Sequence, residues 1–176
     1  MTLPPVVGRV TRRREDDEEV CVLAHPSFKG RSVAIVIHDD SVLMVRSKRD
    51  PEAWVPPGGT IEHHETTRKA ADRETFEETG VRVSAARLVG YGELWDGDRD
   101  VLELYFSAAL LDASDARHTG EFAIGEEGRT AQWLPLSALQ QTRHYPKALR
   151  ELCRVARTDG AAPIYLGPRD MGSEEQ

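Results

Sequence analysis

Runs of apolar residues separated by short polar turns predict several β-strands along the chain. Residues 31–37 are apolar and β-branched, Asp39 and Asp40 predict a turn, and residues 42–46 return as a second apolar run. This pattern is typical of a hairpin at the centre of a sheet. Similar runs predict further strands, at residues 81–83, 87–91, 101–106 and 131–134.

Two main helices are predicted, one in the middle of the chain and one near its end. Residues 66–79 form a strongly polar helix, and Gly80 directly after them suits a helix C-terminus. Ser137 is expected to cap a short helix after the last predicted strand. Residues 145–157 then carry apolar side chains near helical spacing, at Leu149, Leu152 and Val155.

The middle helix lies in the most acidic part of the chain. Six acidic residues fall between Gly59 and Val81. Glu74, Glu77 and Glu78 stand at i, i+3 and i+4, so a helix places all three carboxylates on one face. Like charges this close repel one another, and hard oxygen ligands on one rigid face suit Mg²⁺ or Mn²⁺. A solvated acidic helix surface is the alternative interpretation.

The turn before this helix favours a functional site. Residues 54–59 read Trp-Val-Pro-Pro-Gly-Gly. Two adjacent glycines after two prolines predict a fixed turn at which the backbone approaches another group closely. A plain solvated helix would have no need of such a turn.

The spacing of residues 59–81 resembles the signature of the Nudix hydrolases, G-x5-E-x7-R-E-U-x-E-E-x-G-U, in which U is apolar. Thr75 departs from the signature at the first U position, where a β-branched side chain can still pack. The match covers 23 of 176 residues. All the fixed polar and glycine positions are present, at Gly59, Glu65, Arg73, Glu74, Glu77, Glu78 and Gly80.

The resemblance implies an α/β fold, the Nudix-type α/β/α sandwich with a mixed β-sheet between helices. We expect the hydrolase domain at residues 31–158. Residues 1–30 are predicted to be a leader that is partly disordered or peripheral. Residues 159–176, rich in Gly, Pro and Asp, are predicted to be a C-terminal tail.

The resemblance also implies metal-assisted hydrolysis of a nucleoside diphosphate linked to another group. Divalent ions, Mg²⁺ or else Mn²⁺, offset the charge of a pyrophosphate and lower the pKa of a bound water. Glu77 and Glu78 correspond to the principal metal ligands, and Gly59 to a backbone carbonyl ligand. Glu74 corresponds either to a further ligand, direct or through water, or to the base that orients the attacking water.

Other side chains of the motif are given supporting or neutral roles. By the resemblance, Arg73 orients a glutamate through a charge-assisted bond, with Glu65 or Glu74 as its partner. His63 and His64 are adjacent and therefore point apart, and the motif already supplies oxygen ligands. We expect them to be solvent-exposed loop histidines.

A further acidic residue outside the motif often completes the metal shell or serves as base in this family. Glu127 is the expected residue, ahead of Glu126, because both precede the strand at residues 131–134 as a loop glutamate does in MutT-like members. Glu127 is therefore assigned to the metal and catalytic set. The rivals are Glu93, Glu103 and Glu121.

The signature leaves the substrate open. The ADP-ribose subgroup of the family is recognised by a proline outside the motif, and none is found near Asp96, where it would fall. A nucleoside triphosphate, cleaved to monophosphate and pyrophosphate, is the first choice. A nucleotide sugar, a dinucleoside polyphosphate or another organic diphosphate is the alternative.

Composition agrees with one ordinary globular domain. Hydrophobic residues make up 39% of the chain and charged residues 30%. The net charge is −7, and residues 1–30 carry five basic and five acidic side chains, so the excess negative charge lies after residue 30. Such a body would repel a polyphosphate unless metal ions mediate, and no Lys/Arg-rich face for nucleic acid is evident.

Partners and location follow from the same features. No apolar run is long enough for a membrane span or a signal peptide, so we expect a cytoplasmic protein without membrane contact. The expected partner is a small-molecule nucleotide or diphosphate substrate, and a homodimer is left open. Cys21 and Cys153 are expected to be reduced.

Three other classes compete with a hydrolase. A non-catalytic Nudix-fold nucleotide sensor would have lost motif carboxylates and gained a DNA-binding face. A divalent-cation scaffold would use the glutamates for structure alone. An isomerase of isoprenoid diphosphates would need a reactive cysteine near the site, and neither Cys21 nor Cys153 is suitably placed. The intact motif favours the hydrolase.

Overall fold

The computed structural model describes residues 9–15, 18–24, 28–96, 99–117, 120–123 and 129–170. Within these ranges the helices are α1 (Thr67–Thr79) and α2 (Leu149–Arg157), with 3-10 turns at Ala113–Arg117 and Leu136–Gln140. The strands are β1 (Arg9–Glu15), β2 (Glu18–Ala24), β3 (Phe28–His38), β4 (Ser41–Arg46), β5 (Trp54–Val55), β6 (Gly58–Thr60), β7 (Val83–Asp96), β8 (Arg99–Leu110), β9 (Glu121–Phe122), β10 (Ala131–Pro135) and β11 (Ile164–Asp170).

The main sheet is mixed. Its strand order is β11-β7-β8-β3-β4-β10-β9, with β5 paired to β4 and β6 paired to β3. β3 runs parallel to β8, and β11 runs parallel to β7, whereas β3 and β4 form the predicted antiparallel hairpin. The predicted strands at residues 101–106 and 131–134 are confirmed within β8 and β10.

The sheet is covered on both faces, because alternate residues of β3 enter different cores. Val33 and Ile35 belong to a cluster that includes Leu149 and Leu152 of α2. Ala34 and Val36 belong to a second cluster, with Ala71 of α1, Val81 and Phe106. Because successive side chains of a strand point to opposite faces of the sheet, β3 contacts one helix on each face. The predicted α/β/α sandwich is confirmed.

Helix α1 has the ends that its sequence predicts. The Thr66 hydroxyl accepts from the Lys69 amide at 3.3 Å, and Gly80 closes the helix with a φ of 71°. Thr75 is fully buried and donates its hydroxyl to the Ala71 carbonyl at 2.7 Å. This local bond satisfies the hydroxyl, which explains how a threonine occupies an apolar motif position.

Two predictions near the second helix are wrong in detail. The short helix after β10 begins after Pro135, whose side chain makes no capping bond, so Ser137 is not its cap. Helix α2 begins at Leu149 rather than at residue 145. Pro146 keeps Tyr145 out of the helix, since a proline disfavours the helical conformation of the residue before it.

Both ends of the chain differ from the sequence expectation. β1 and β2 pair as a separate two-stranded sheet inside the predicted leader. β11 lies inside the predicted tail and extends the main sheet beside β7. The domain boundaries at residues 30 and 158 stay predictions. Among the described residues no helix is long and apolar enough to cross a membrane, and the cytoplasmic location stays a prediction.

Cys153 lies on the buried face of α2, in the core, and is a free thiol. Burial raises the pKa of this thiol to about 12, so its thiolate is scarce at neutral pH. In a Cys21→Ser variant, we expect a thiol reagent at pH 8 to label Cys153 only as fast as the protein unfolds. Labelling in urea provides the fast control. Rapid labelling of the native protein would contradict this burial.

Candidate functional site

A cavity of about 400 Å³ opens between the glycine turn, α1 and the strands β3, β7 and β8. Helix α1 contributes Glu74 and Glu78 to its wall, and the turn contributes Gly58 and Gly59. Other charged side chains come from distant parts of the chain. They are Arg31, Lys48, Arg49, Asp50, Glu103, Arg129 and Arg169.

The glycine pair brings the backbone of the turn against β3 and α1. A Cβ on Gly58 would lie 2.5 Å from the Ser32 carbonyl oxygen and 2.7 Å from the Val33 Cα. A Cβ on Gly59 would overlap the Glu74 carboxylate. The predicted close approach is therefore present. Backbone atoms exclude any side chain at position 58, whereas a side chain at position 59 would have to displace the Glu74 carboxylate.

Arg73 binds three glutamates at once. Its Nε and Nη2 donate to the two oxygens of Glu65, each at 2.9 Å, and Nη1 donates to Glu74 at 3.0 Å and to Glu77 at 2.9 Å. Nη2 also donates to the Thr60 carbonyl at 3.0 Å. The sequence offered Glu65 or Glu74 as the partner of Arg73. The structure adds Glu77, so one guanidinium orders most of the carboxylate cluster.

The cluster holds its carboxylates in different electrostatic environments. The hydrogen bonds from Arg73 lower the pKa of Glu65. Burial raises the pKa of Glu74, although Arg73 opposes this shift. The bond to Glu65, in turn, raises the pKa of Arg73. Burial thus leaves the ionised form of Glu74 poorly solvated, and a nearby cation would stabilise it.

Glu78 is buried at the bottom of the cavity. Its Oε2 accepts from the Gly58 amide at 3.0 Å, and its Oε1 pairs with Arg129. Arg129 also donates to the Arg46 carbonyl, and burial lowers its pKa to about 10. The sequence gave no reason to select Arg129, because its contact with Glu78 spans 51 positions and leaves no local pattern.

The candidate acids outside the motif differ in their position relative to the cavity. Glu103 is buried in the cavity wall. Glu121 pairs with Arg46, and Glu93 accepts from the Tyr165 hydroxyl, so neither lines the cavity. Glu126 and Glu127 lie outside the described residues, and the assignment of Glu127 stays a prediction.

The two loop histidines are exposed before α1, as expected. The expectation that they point apart is wrong, because the ring centroids of His63 and His64 lie 3.8 Å from each other. Arg46 stacks on the ring of Trp54 at 4.0 Å and pairs with Glu121. These contacts explain the side chains without a ligand.

The donor chemistry at α1 suits a hard divalent cation. Glu74 and Glu78 line the cavity beside the Gly59 backbone, while Glu77 is held by Arg73 just outside it. In the part of the chain that the structure describes, no three acidic, His or Cys side chains are arranged as a ready-made metal site. Carboxylate oxygens and a backbone carbonyl are nevertheless the ligands that Mg²⁺ prefers.

The glycine turn, α1 and the cavity wall as far as Arg129 fall within one stretch of sequence. The NUDIX domain model matches residues 28–154. The chain belongs to the NUDIX domain family. The resemblance drawn from residues 59–81 is thereby confirmed over most of the chain, whereas β11 lies beyond the NUDIX match.

Curated NUDIX relatives match a shorter part of the chain. Diphosphoinositol polyphosphate phosphohydrolase 2 of Rattus norvegicus is 40% identical over 72 residues, which are 39% of this chain and 40% of that protein. Diphosphoinositol polyphosphate phosphohydrolase 3-beta of Bos taurus is 42% identical over 66 residues, which are 36% of this chain and 40% of that protein. The chain thus spans about two fifths of the length of the curated relatives it matches.

Solved structures share the NUDIX architecture. A NUDIX hydrolase from Nitrosomonas europaea has a TM-score of 0.63 and 22% identity, covering 93% of this chain and 95% of that one. A UDP-X diphosphatase has a TM-score of 0.61 and 18% identity, covering 81% of this chain and 68% of that one. At these identities the likeness concerns the fold alone.

Proposed function

We propose that the protein is a metal-dependent hydrolase that cleaves a diphosphate linkage in a small organic molecule. The observation that carries the proposal is the position of Glu74 and Glu78 on one face of α1, directly against the glycine backbone of a charged cavity. Membership of the NUDIX domain family supports the same activity. A non-catalytic sensor would retain the fold without needing this carboxylate set.

The cation would be held by Glu77, Glu78 and the Gly59 carbonyl, with Glu74 as a further ligand or as the base. Glu127 is the proposed acid from outside the motif. Mg²⁺, or Mn²⁺ in its place, supplies charge neutralisation at the diphosphate and a more acidic bound water.

The protein's own residues position these groups. Arg73 holds Glu65, Glu74 and Glu77 in fixed orientations, which reduces the reorganisation needed when charge develops. The Gly58 amide fixes one oxygen of Glu78. Arg129 lies at the same carboxylate and is well placed to bind an oxygen of the substrate diphosphate.

A nucleoside triphosphate, giving monophosphate and pyrophosphate, is the first proposed substrate. Nucleotide sugars, dinucleoside polyphosphates and other organic diphosphates are the alternatives. We retain the proposal that the protein acts on small molecules and binds neither nucleic acid nor membrane, and a homodimer is left open.

One observation favours a second kind of substrate. Five basic side chains line the cavity, although the whole chain carries a net charge of −7. The aromatic side chains on its wall are Tyr105, whose hydroxyl is bonded to Glu103, and Tyr145. These features suit a polyanion, and they agree with the diphosphoinositol polyphosphates in the names of the curated relatives.

Turnover of a substrate panel tests the proposal. Nucleoside triphosphates, ADP-ribose, UDP-glucose and a diphosphoinositol polyphosphate would each be incubated with the full chain and Mg²⁺, and products identified by ³¹P NMR. We expect cleavage at a diphosphate linkage that stops when the metal is chelated. Absence of cleavage across the panel, with Mg²⁺ or Mn²⁺, would favour the sensor instead.

A further inference from the structure

Strand β11 brings an arginine into the cavity from outside the NUDIX match. The match ends at residue 154, whereas β11 spans Ile164–Asp170 and pairs with β7. Arg169 lies on this strand, and its side chain is only 11% exposed and lines the cavity. The cavity wall therefore includes a residue from outside the stretch that the NUDIX model matches.

Arg169 is held by a buried carboxylate and a buried phenol. Its Nη2 donates to Glu103 Oε2 at 2.8 Å and to the Tyr105 hydroxyl at 3.1 Å. Tyr105 also donates to Glu103. Both Glu103 and Tyr105 are buried on β8. Both bonds from Arg169 use the same nitrogen, Nη2, and they fix the orientation of the guanidinium.

Arg31 approaches the same carboxylate from β3. Its Nη2 donates to the Gly58 carbonyl at 3.0 Å, while its Nε lies 3.6 Å from Glu103 Oε1, too far for a good hydrogen bond. The Nε atoms of Arg31 and Arg169 are both buried without a hydrogen-bond partner. Two arginines with unused donors thus flank a single carboxylate, and buried donors of this kind are costly unless a ligand or water satisfies them.

The charge balance of the wall identifies the ligand chemistry. Apart from the α1 carboxylates, the cavity is lined by five basic side chains and two acidic ones, Asp50 and Glu103. Asp50 pairs with Arg143 at 2.7 Å, and Glu103 pairs with Arg169. With Glu74 and Glu78 included, the wall carries five basic and four acidic side chains, and Asp50 is paired with Arg143 from outside this set, so the balance is positive and suits an anion.

We propose that Arg31 and Arg169, positioned by Glu103 and Tyr105, form a subsite for a phosphate group of the substrate other than the diphosphate that is cleaved. The subsite rests on the proposed function, because it selects the group attached to that diphosphate. Arginine favours phosphate through paired, charge-assisted hydrogen bonds. The C-terminal strand thereby determines which diphosphates the enzyme accepts.

Binding of a probe without metal tests the subsite independently of turnover. The probe is inositol hexakisphosphate, which carries several phosphates and no diphosphate, titrated calorimetrically into the metal-free full chain. We expect binding by the wild type, and a loss of affinity of about tenfold or more in Arg169→Leu and in Arg31→Leu. The matched control is Arg154→Leu on α2, far from the cavity, which should bind as the wild type does.

The Arg31→Leu variant distinguishes loss of the subsite from misfolding. Arg169→Leu leaves Glu103 without its closest cation, whereas Arg31→Leu keeps the bond between Glu103 and Arg169. No binding by the wild type, unchanged binding in Arg31→Leu, or an equal loss in Arg154→Leu would each overturn the subsite. The binding assay contains no metal and measures no turnover, so a negative result would reject the subsite and leave the proposed hydrolysis intact. The proposed hydrolysis is tested separately, by the substrate panel.

Discussion

Replacing Glu78 by glutamine is expected to lower kcat by about 100-fold or more, equivalent to ~3 kcal/mol of transition-state stabilisation. Glutamine has the shape of glutamate, and its carbonyl oxygen can still accept from the Gly58 amide, which Glu78 now binds at 3.0 Å. The change keeps the shape of the side chain, but it removes the charge at the proposed metal site and with it the ion pair between Glu78 and Arg129. Initial rates with Mg²⁺, on a substrate identified in the panel, measure the effect.

Glu62→Gln is the matched control for this loss. Glu62 is exposed in the loop before α1 and is not one of the fixed positions of the motif. Glu62→Gln should keep the wild-type rate. Loss of the ion pair with Arg129 should lower the thermal unfolding midpoint of Glu78→Gln, so the rates are compared at a temperature at which circular dichroism shows both variants folded. An unchanged kcat in Glu78→Gln would show that this carboxylate takes no part in the reaction.

Replacing Arg73 by leucine is expected to lower the free energy of unfolding by about 3 kcal/mol at pH 7. The change leaves Glu65, Glu74 and Glu77 facing one another without the guanidinium that neutralises them. For a chain of this size, the unfolding midpoint should fall by roughly 6–12 °C. Activity should fall as well, because the glutamates lose their fixed orientations.

The loss of stability in Arg73→Leu should become smaller as the pH falls. Arg73 lowers the pKa of Glu65 below its ordinary value of 4.5, so this stabilisation is present above pH 4.5 and is lost as pH falls through the lowered value. The difference between wild type and Arg73→Leu should therefore be largest near neutral pH and shrink in acid. Thermal unfolding across this pH range measures it.

Arg154→Leu provides the comparison for the stability effect. Arg154 makes two bonds to Glu151, at 2.9 and 2.6 Å, but both side chains are exposed on α2. An exposed pair of this kind contributes little to stability, because solvent and salt screen it. If Arg73→Leu cost no more stability than Arg154→Leu, the carboxylate cluster would not depend on Arg73.

The local parts of the site could be predicted from the sequence. The two glycines, the helix ends at Thr66 and Gly80, and the shared face of the glutamates all follow from spacing over a few residues. Arg73 was expected to bind one glutamate and binds three, because the helix brings Glu77 one turn away from it.

The remaining parts depend on contacts that no local pattern records. Glu103 and Arg169 are 66 positions apart, and their pairing requires β11 to lie parallel to β7. The Gly, Pro and Asp content after residue 158 suggested little order, yet Gly167 adopts a φ of 73° within an irregular stretch of β11. A glycine in the sequence can thus indicate either an irregular strand or the absence of a strand.

Net charge also concealed the nature of the cavity. The value of −7 suggested a surface that repels phosphates. The fold instead gathers basic residues into one wall, from β3, from the loop after β4, from position 129 ahead of β10, and from β11. Composition averages over the chain, whereas a ligand meets only the side chains that tertiary structure brings together.

Direct measurement of Mn²⁺ binding tests the central claim that the α1 carboxylates hold the cation on which cleavage depends. Electron paramagnetic resonance would follow free Mn²⁺ during titration of the wild type and of a Glu74→Gln/Glu78→Gln variant, with Glu62→Gln as control. We predict saturable binding in the wild type and in Glu62→Gln, and its loss in the double variant. Equal Mn²⁺ binding in all three proteins would contradict the assignment of the metal site to α1.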